Sequence, residues 1–475
     1  MSATDGQTIS FSFPDAQAQK FSCSPPDHTN SVQDIVCGKL LRKVPGKRKV
    51  FDATWGEHRV IVKLFSDAKR AKHHRIREWE GLNMLCSLKV AAPKPLFFGQ
   101  DQDGRQIVVI EKIQESATIK ELCAQPVDPE KKFHLNQLMF RELAILHIKG
   151  VLQQDLHRGN FLISGQTLFS LDPAEMKFFS GPLNRKKSLK QVALLASQMR
   201  DEKTETVNQL INEYGLARGW EFTNNELSAI RTRSANYNKI RIKKSLKKCL
   251  RSCSRFKRIK HSCFSSMVDR KFFQNIDPVG QLEKIIREFK NLEILYQEHE
   301  QSIRLVNLQD HGLVVRKYPY QKPRLLPQYL FTRSPATRYW LNAHRLSLLN
   351  IPTPKPIALI EQTRGRHILE TYVFTEHTKS RNSYDFLSDN DISDKLKATV
   401  VRQIIEMLDR LKTHKIIHGN LDFENILVTD NGPMLTNLDN MKVHGLITTH
   451  PTPKEERTDF EKKWKKSLKI GRFLT

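Results

Sequence analysis

Between Arg48 and Phe65, apolar and polar residues alternate on either side of Gly56, in RKVFDATWG and HRVIVKLF. A period of two around a glycine predicts an antiparallel hairpin. The pattern then turns helical in AKHHRIREWEGLNMLCSL, with Ile76, Trp79, Leu82 and Leu85 along one face, and the step AAPKP ends it. QIVVIEKI reads as a buried strand, and a helix runs from Asn136 to Lys149. VLQQDLHRGNFLI and QTLFSLD read as short strands around a loop.

The same order recurs in the second half. LVVRKY (313–318) parallels VIVKLF, and TRYWLNAHRLSLLNIPTPKP (337–356) parallels IREWEGLNMLCSLKVAAPKP (76–95). HILETYV (367–373) parallels VVIEKI, and IIHGNLDFENILV (416–428) parallels VLQQDLHRGNFLI (151–163). Four matches in one order predict two copies of one architecture.

Length and composition fit this reading. A chain of 475 residues with 39% hydrophobic positions has material for two cores. No apolar run approaches the ~20 residues that span a bilayer. The opening MSATDGQTISFSF has neither a basic nor an apolar signal region, so the expected location is the cytoplasm. Seven cysteines in such a chain predict reduced thiols. The net charge of +27 predicts a polyanionic partner: nucleic acid, an anionic membrane surface or a phosphate-rich substrate.

The first half carries the parts that phosphoryl transfer needs, which are positioned charges more than covalent chemistry. Lys63 lies in an apolar strand, where an ammonium is costly to bury without an anion. Fifteen residues on, Glu78 is a helical partner for it, with Glu80 the rival; periodicity leaves the choice open. Asp155 and Asn160 stand five apart in DLHRGNFLI, the spacing of a loop with a proton-accepting Asp and a metal-binding Asn. Asp172 closes the strand TLFSLD, where a metal-binding carboxylate is expected.

With SLDPAEM and SLKQVALLASQM following it, DLHRGNFL resembles the bacterial lipopolysaccharide-core sugar kinases, the Kdo- and heptose-kinase relatives of the protein-kinase-like superfamily. VPGKRKVFDATWGEHRVIVKLF and RIREWEGL fit the N-lobe of that group, and the latter favours Glu78 over Glu80. The resemblance covers residues 40–200 and, more weakly, 305–445. It implies ATP with Mg²⁺, a sugar hydroxyl as acceptor, Asp155, Lys63 and Glu78 as catalytic residues, and Asn160 and Asp172 as metal ligands. Glu111 joins Lys63, Glu78, Asn160 and Asp172 in the expected nucleotide-binding set. Two departures stand out. Gln153 and Gln154 precede Asp155 where the family has His-Gly or His-Arg, which removes a structural support. Gly46 and Gly56 are the only glycines where a Gly-rich phosphate loop belongs.

The second copy lacks these groups. The positions matching Asp155 and Asp172 are Asn420 and Asn437, while Asn425 matches Asn160. An amide takes no proton and is a neutral ligand where Mg²⁺ prefers carboxylate. Asp439, two residues beyond Asn437, is the rival ligand. Lys317 stands as the counterpart of Lys63, yet Tyr339 replaces Glu78, and no Asp or Glu occurs from His311 to Ile360.

Residues 239–260 hold eleven Lys or Arg, and no acid appears from Leu227 to Val268. Leu246, Cys249, Leu250, Cys253 and Phe256 predict an apolar stripe on a cationic helix, suited to an anionic inner-membrane surface or a phosphorylated glycolipid, with RNA and a merely solvated helix as alternatives. Cys249, Cys253, His261 and Cys263 do not have the spacing of a usual zinc site.

The expected fold is α+β: two tandem bilobal protein-kinase-like folds, each with a small antiparallel-sheet N-lobe and a mainly helical C-lobe. The expected boundaries are a loosely ordered arm (1–36), an active first domain (37–230), a basic helical segment completing the first C-lobe or connecting (231–300), and a pseudokinase (301–475). The expected function is ATP-dependent phosphorylation of a lipopolysaccharide-core sugar at the cytoplasmic face of the inner membrane. An atypical Rio-like protein kinase and a non-catalytic scaffold are the alternatives. Intact Lys63, Asp155, Asn160 and Asp172 weigh against the scaffold, and missing activation-segment signals weigh against the protein kinase.

Overall fold

The computed structural model describes residues 19–23, 33–44, 47–66, 70–100, 105–124, 127–200, 202–261, 264–274, 276–298, 301–308, 311–318, 333–364, 367–443 and 452–466. It is a mixed α+β chain with antiparallel sheets, in two units, Met1–Ile240 and Arg241–Thr475. Among the described residues no helix is long and apolar enough to cross a membrane.

The first unit opens with six strands and one helix: β1 (Gln19–Cys23), β2 (Gln33–Val44), β3 (Arg48–Trp55), β4 (His58–Phe65), α1 (Ala71–Ser87), β5 (Pro95–Gln100) and β6 (Gln106–Glu111). The strands form one sheet in the order β1-β2-β3-β4-β6-β5. The predicted hairpin is β3–β4, closed where Trp55 pairs with His58 and Gly56 takes a left-handed φ of 57°. Its alternation buries Phe51, Ala53, Trp55, Val60, Val62 and Leu64 on one face. On the other face Phe65, Val108 and Ile110 meet Ala71 and Leu82 of α1. The arm expected over 1–36 is therefore partly strand: β1 pairs with β2 from Gln33 onward. Gly46 lies outside the described residues.

Beyond the sheet come β7 (Ser116–Thr118), α2 (Ile119–Leu122), α3 (Pro129–Ile148), β8 (Val151–Gln153), β9 (Phe161–Ser164), β10 (Thr167–Ser170), β11 (Met176–Phe178), α4 (Arg185–Ala196), α5 (Thr204–Arg218) and α6 (Asn224–Lys248). Leu135, Met139, Phe140 and Leu143 of α3 share a core with Val192 and Leu195 of α4 and Leu210, Ile211 and Tyr214 of α5. Asp128 caps α3 by accepting from the Glu130 and Lys131 amides, with Pro129 in the first turn.

The second unit has a seven-stranded sheet of β12 (Phe256–Lys260), β13 (Phe264–Asp269), β14 (Glu293–Glu298), β15 (Gln301–Leu308), β16 (His311–Tyr318), β17 (Pro356–Arg364) and β18 (His367–Glu376), ordered β12-β13-β17-β18-β16-β15-β14. Helix α7 (Pro278–Arg287) covers one face, and α8 (Pro335–Leu348) packs Tyr339 and Trp340 on the other. After α9 (Ser383–Ser388) and α10 (Asp394–Thr413), short strands surround the loop holding Asn420 and Asn425. Each unit thus runs through hairpin, helix, strand pair, long helix and short-strand loop.

Two expectations about the middle of the chain are corrected. The second unit begins at Arg241 rather than 301, because β13 pairs with β17 from Phe264↔Gln362 to Val268↔Ala358. The cationic segment is not one helix: α6 ends at Lys248, and Phe256 starts β12. Cys249 and Phe256 are buried in the second unit's core, with Leu246, Leu250 and Cys253 packed against it. The Trp340 indole donates to the Cys249 carbonyl at 3.0 Å. The apolar stripe is therefore consumed by the fold, while Lys243, Lys244, Lys247, Lys248, Lys257 and Arg258 stay exposed. Cys263 lies outside the described residues, among which no group of three or more metal-ligating side chains gathers.

Candidate active site

Lys63 and Arg48 project from one face of the first unit's sheet. Lys63 pairs across strands with Val50, and Arg48 follows two residues away on the same side. Each cation meets a carboxylate. Lys63 Nζ donates to Glu78 Oε1 on α1. Arg48 reaches Asp172 through two parallel bonds, Nη1 to Oδ1 and Nη2 to Oδ2, each 3.2 Å. Glu78 is fully buried and Glu80 exposed, so the choice falls on Glu78.

Helix α1 is locked to the Asp172 turn. Gly81 lies so close to Pro173 that an added Cβ would stand 2.8 Å from its backbone oxygen. Arg77 donates to the Ala174 carbonyl. Asp172 itself takes φ 59° and ψ 54°, a left-handed conformation that costs a side-chain-bearing residue ~1 kcal/mol or more. Burial opposes ionisation of Asp172. The hydrogen bonds from Arg48 and the charges of Lys63, Arg48 and Arg42 outweigh it and hold the carboxyl below its usual pKa.

The loop carrying Asp155 is tied to the same turn. Asn160 Nδ2 donates to the Asp155 carbonyl at 2.8 Å, and the Leu171 amide donates to the Asn160 carbonyl at 2.9 Å. With its amine engaged, Asn160 has Oδ1 left as its ligand atom. The Asp155 carboxylate is largely exposed, and His157 Nε2 lies 3.5 Å from its Oδ2. Gln153 Nε2 donates to the Leu171 carbonyl at 3.1 Å. Gln153 was expected to remove a support, yet it makes the bond that His418 makes to the Thr436 carbonyl at 2.9 Å in the second unit. A side-chain amide replaces an imidazole, and the tie is kept.

Lys63, Glu78, Asn160 and Asp172 are thus brought into one connected cluster, with Asp155 on the adjoining loop. Glu111 is not brought in by its side chain. Opposite Val60 in β4, it shares the sheet face of Val60 and Val62, away from Lys63. Its Oε2 accepts from the Lys94 amide at 3.4 Å. Arg48 and Arg77 were missed, and only the strand alternation that puts Arg48 beside Lys63 signals either.

The cluster suits a divalent cation with a phosphate-bearing nucleotide. Asp172 already holds a cation, the Arg48 guanidinium, with both oxygens, and Asn160, bonded through its nitrogen to the Asp155 carbonyl, has a neutral side-chain oxygen to offer.

The second unit repeats the frame without the charges. Asn425 Nδ2 donates to the Asn420 carbonyl at 2.8 Å, the Thr436 amide donates to the Asn425 carbonyl at 3.0 Å, and Asn437 takes φ 61° and ψ 52°. Lys317 is not the counterpart of Lys63. It pairs with Glu370 of β18 at 2.6 Å, so an acid partner exists on the sheet rather than on the helix. Arg316 is the residue on the α8 side: its guanidinium lies 5.5 Å from the Tyr339 ring centre, and Nη2 donates to Thr436 Oγ1 at 2.7 Å. Asp439 is nearly buried, and its backbone oxygen accepts from Arg338 Nε at 2.9 Å. Burial and then the Asp439 charge push the Tyr318 hydroxyl well above its usual pKa.

No family model and no curated protein matches the chain. Among solved structures, the one described as WaaP in complex with acyl carrier protein aligns at 17% identity, over 42% of this chain and 88% of that one, with a TM-score of 0.33, too slight a likeness to assign a fold.

Proposed function

We propose that the first unit is a protein-kinase-like phosphotransferase that uses ATP with Mg²⁺ to phosphorylate an alcohol group, and that the second is a pseudokinase in tandem with it. The supporting observation is the Lys63–Glu78 pair on the sheet face from which Arg48 holds Asp172, with Asp172 following Leu171, whose amide is bonded to Asn160, itself bonded to Asp155. When bound, Mg²⁺ and ATP supply the phosphoryl group and the charge that screens it. Lys63, held by a buried Glu78, offers a fixed ammonium for phosphate oxygens. Asp172 and Asn160 Oδ1 would hold the metal. Asp155 is exposed enough to meet an acceptor and takes the proton from its hydroxyl. In the second unit Asn420 and Asn437 offer neither proton acceptor nor carboxylate, Tyr339 stands in place of Glu78, and Asp439 is buried.

For the acceptor we favour a sugar of the phosphorylated lipopolysaccharide core at the cytoplasmic face of the inner membrane. The exposed cations between Lys243 and Lys260 support an anionic partner, held by charge alone since the apolar stripe is packed away. The test incubates the full chain with Mg²⁺, ATP and a purified core glycolipid and follows phosphate incorporation by mass spectrometry. Transfer that weakens when Lys243, Lys244, Lys247 and Lys248 become Gln, and that falls with added salt, is expected. Transfer to protein substrates but not to the glycolipid would refute the acceptor.

A further inference from the structure

The two-pronged bond between Arg48 and Asp172 engages both oxygens of the carboxylate that would hold a divalent cation, so guanidinium and metal compete for one charge. Arg48 is the first residue of β3, directly after the β2–β3 turn, where the Lys47 amide donates to the Val44 carbonyl at 3.0 Å. It shares a sheet face with Lys63, and Arg42, which pairs with Val50, adds a third cation to that face. The sequence around this turn has no run of glycines whose backbone amides would cradle phosphates. We infer that Arg48 is a phosphate-binding residue held in reserve: it neutralises Asp172 until a divalent cation takes that carboxylate, then passes to the phosphates of the nucleotide.

The inference rests on the phosphotransferase reading and adds a residue to it. An arginine fork suits a phosphate as well as a carboxylate, so the exchange replaces one bidentate anion by another and leaves no charge unpaired.

Two variants of the full chain test it, Arg48→Ala and Arg48→Gln; the second retains an amide able to hydrogen-bond Asp172 should the first fail to fold. Binding of Mn²⁺ alone is measured by electron paramagnetic resonance, and binding of adenosine and of a non-hydrolysable ATP analogue with Mg²⁺ by calorimetry. Both variants are expected to bind Mn²⁺ more tightly, because the competing positive charge on Asp172 is gone. The preference for the ATP analogue over adenosine should fall about tenfold or more, the scale of a lost charge-assisted hydrogen bond. Unchanged preference for the triphosphate, or unchanged Mn²⁺ affinity, would overturn the role of Arg48 and leave the phosphotransferase reading intact. A wild-type chain that binds neither nucleoside nor nucleotide would overturn that reading and the inference together.

Discussion

The Lys63–Glu78 pair can be replaced in two ways that separate its contribution to stability from its contribution to chemistry. In Glu78→Leu the Lys63 ammonium, only 13% exposed, loses its partner while staying largely out of water. Removing one member of a buried pair costs ~3–5 kcal/mol, and the nearby Asp172 charge brings the expected loss down to about 2–3 kcal/mol. In the double variant Lys63→Met, Glu78→Leu no charge is stranded. Apolar replacement of a buried pair is close to neutral, so the first unit should return to within about 1 kcal/mol of wild type. Phosphoryl transfer should not return. Without the ammonium the phosphates lose a fixed contact, and both variants should fall by about 10²-fold or more. Urea unfolding of the full chain and initial rates of transfer give the two readouts. A double variant as unstable as the single one would refute the energetic reasoning, and one that transfers phosphate at the wild-type rate would refute the assignment of Lys63.

Lys317→Ala should leave transfer unchanged, since its half-exposed pair with Glu370 contributes at most ~1 kcal/mol, whereas Lys63→Ala should abolish it. Equal losses in the two rates would bring Lys317 into the chemistry. Burial pushes the Glu142 carboxyl up to about 7, with the Ser170 hydroxyl donating at 3.3 Å. Because the folded pKa lies above the unfolded value of 4.5, the folded state keeps a proton that the unfolded state has released, and stability is lost as pH rises through that window. Glu142→Gln should remove this slope and raise stability by up to about 3 kcal/mol above neutral pH, and an unaltered slope in the melting temperature would contradict it.

Much of the first sheet was legible because its side chains obey a simple period. Phe51, Ala53, Trp55, Val60, Val62 and Leu64 alternate inward as read. Helix α1 was legible as an element but not in its orientation. Its buried stripe is Ala71, Arg75, Glu78, Leu82 and Leu85, while Ile76 and Trp79 are only half-buried. Two charged residues in that stripe defeat a hydrophobic reading. Glu78 meets Lys63, and the Arg75 guanidinium sits 3.8 Å from the centre of the Phe98 ring and donates to the Gly99 carbonyl at 2.6 Å. The confusion of Lys317 with Arg316 has a geometric cause: a slip of one residue along a strand exchanges its faces. For Glu111 no motif tells which side of a buried strand its last residue takes; its side chain shares the face of Val60. The segment around Cys249 fitted a helical stripe because Cys253 and Phe256 fall at helical spacing, although a turn and a strand use them. The spacing of five marked Asn160 and Asn425 as matching positions, but the bond each amide donates to the carbonyl five residues before it comes from the folded loop and was not read from the sequence.

On the proposed reading, the first unit turns over ATP through Asp155 and Asp172. The most direct measurement is Mg²⁺-dependent ATP turnover by the full-length chain, by Asp155→Asn and by Asp172→Asn. Each substitution removes a charge and almost no volume, so folding should be retained and checked by circular dichroism. Turnover in the wild type that requires Mg²⁺ and is lost in both variants is the predicted result. Wild-type rates in either folded variant would contradict the assignment of the site.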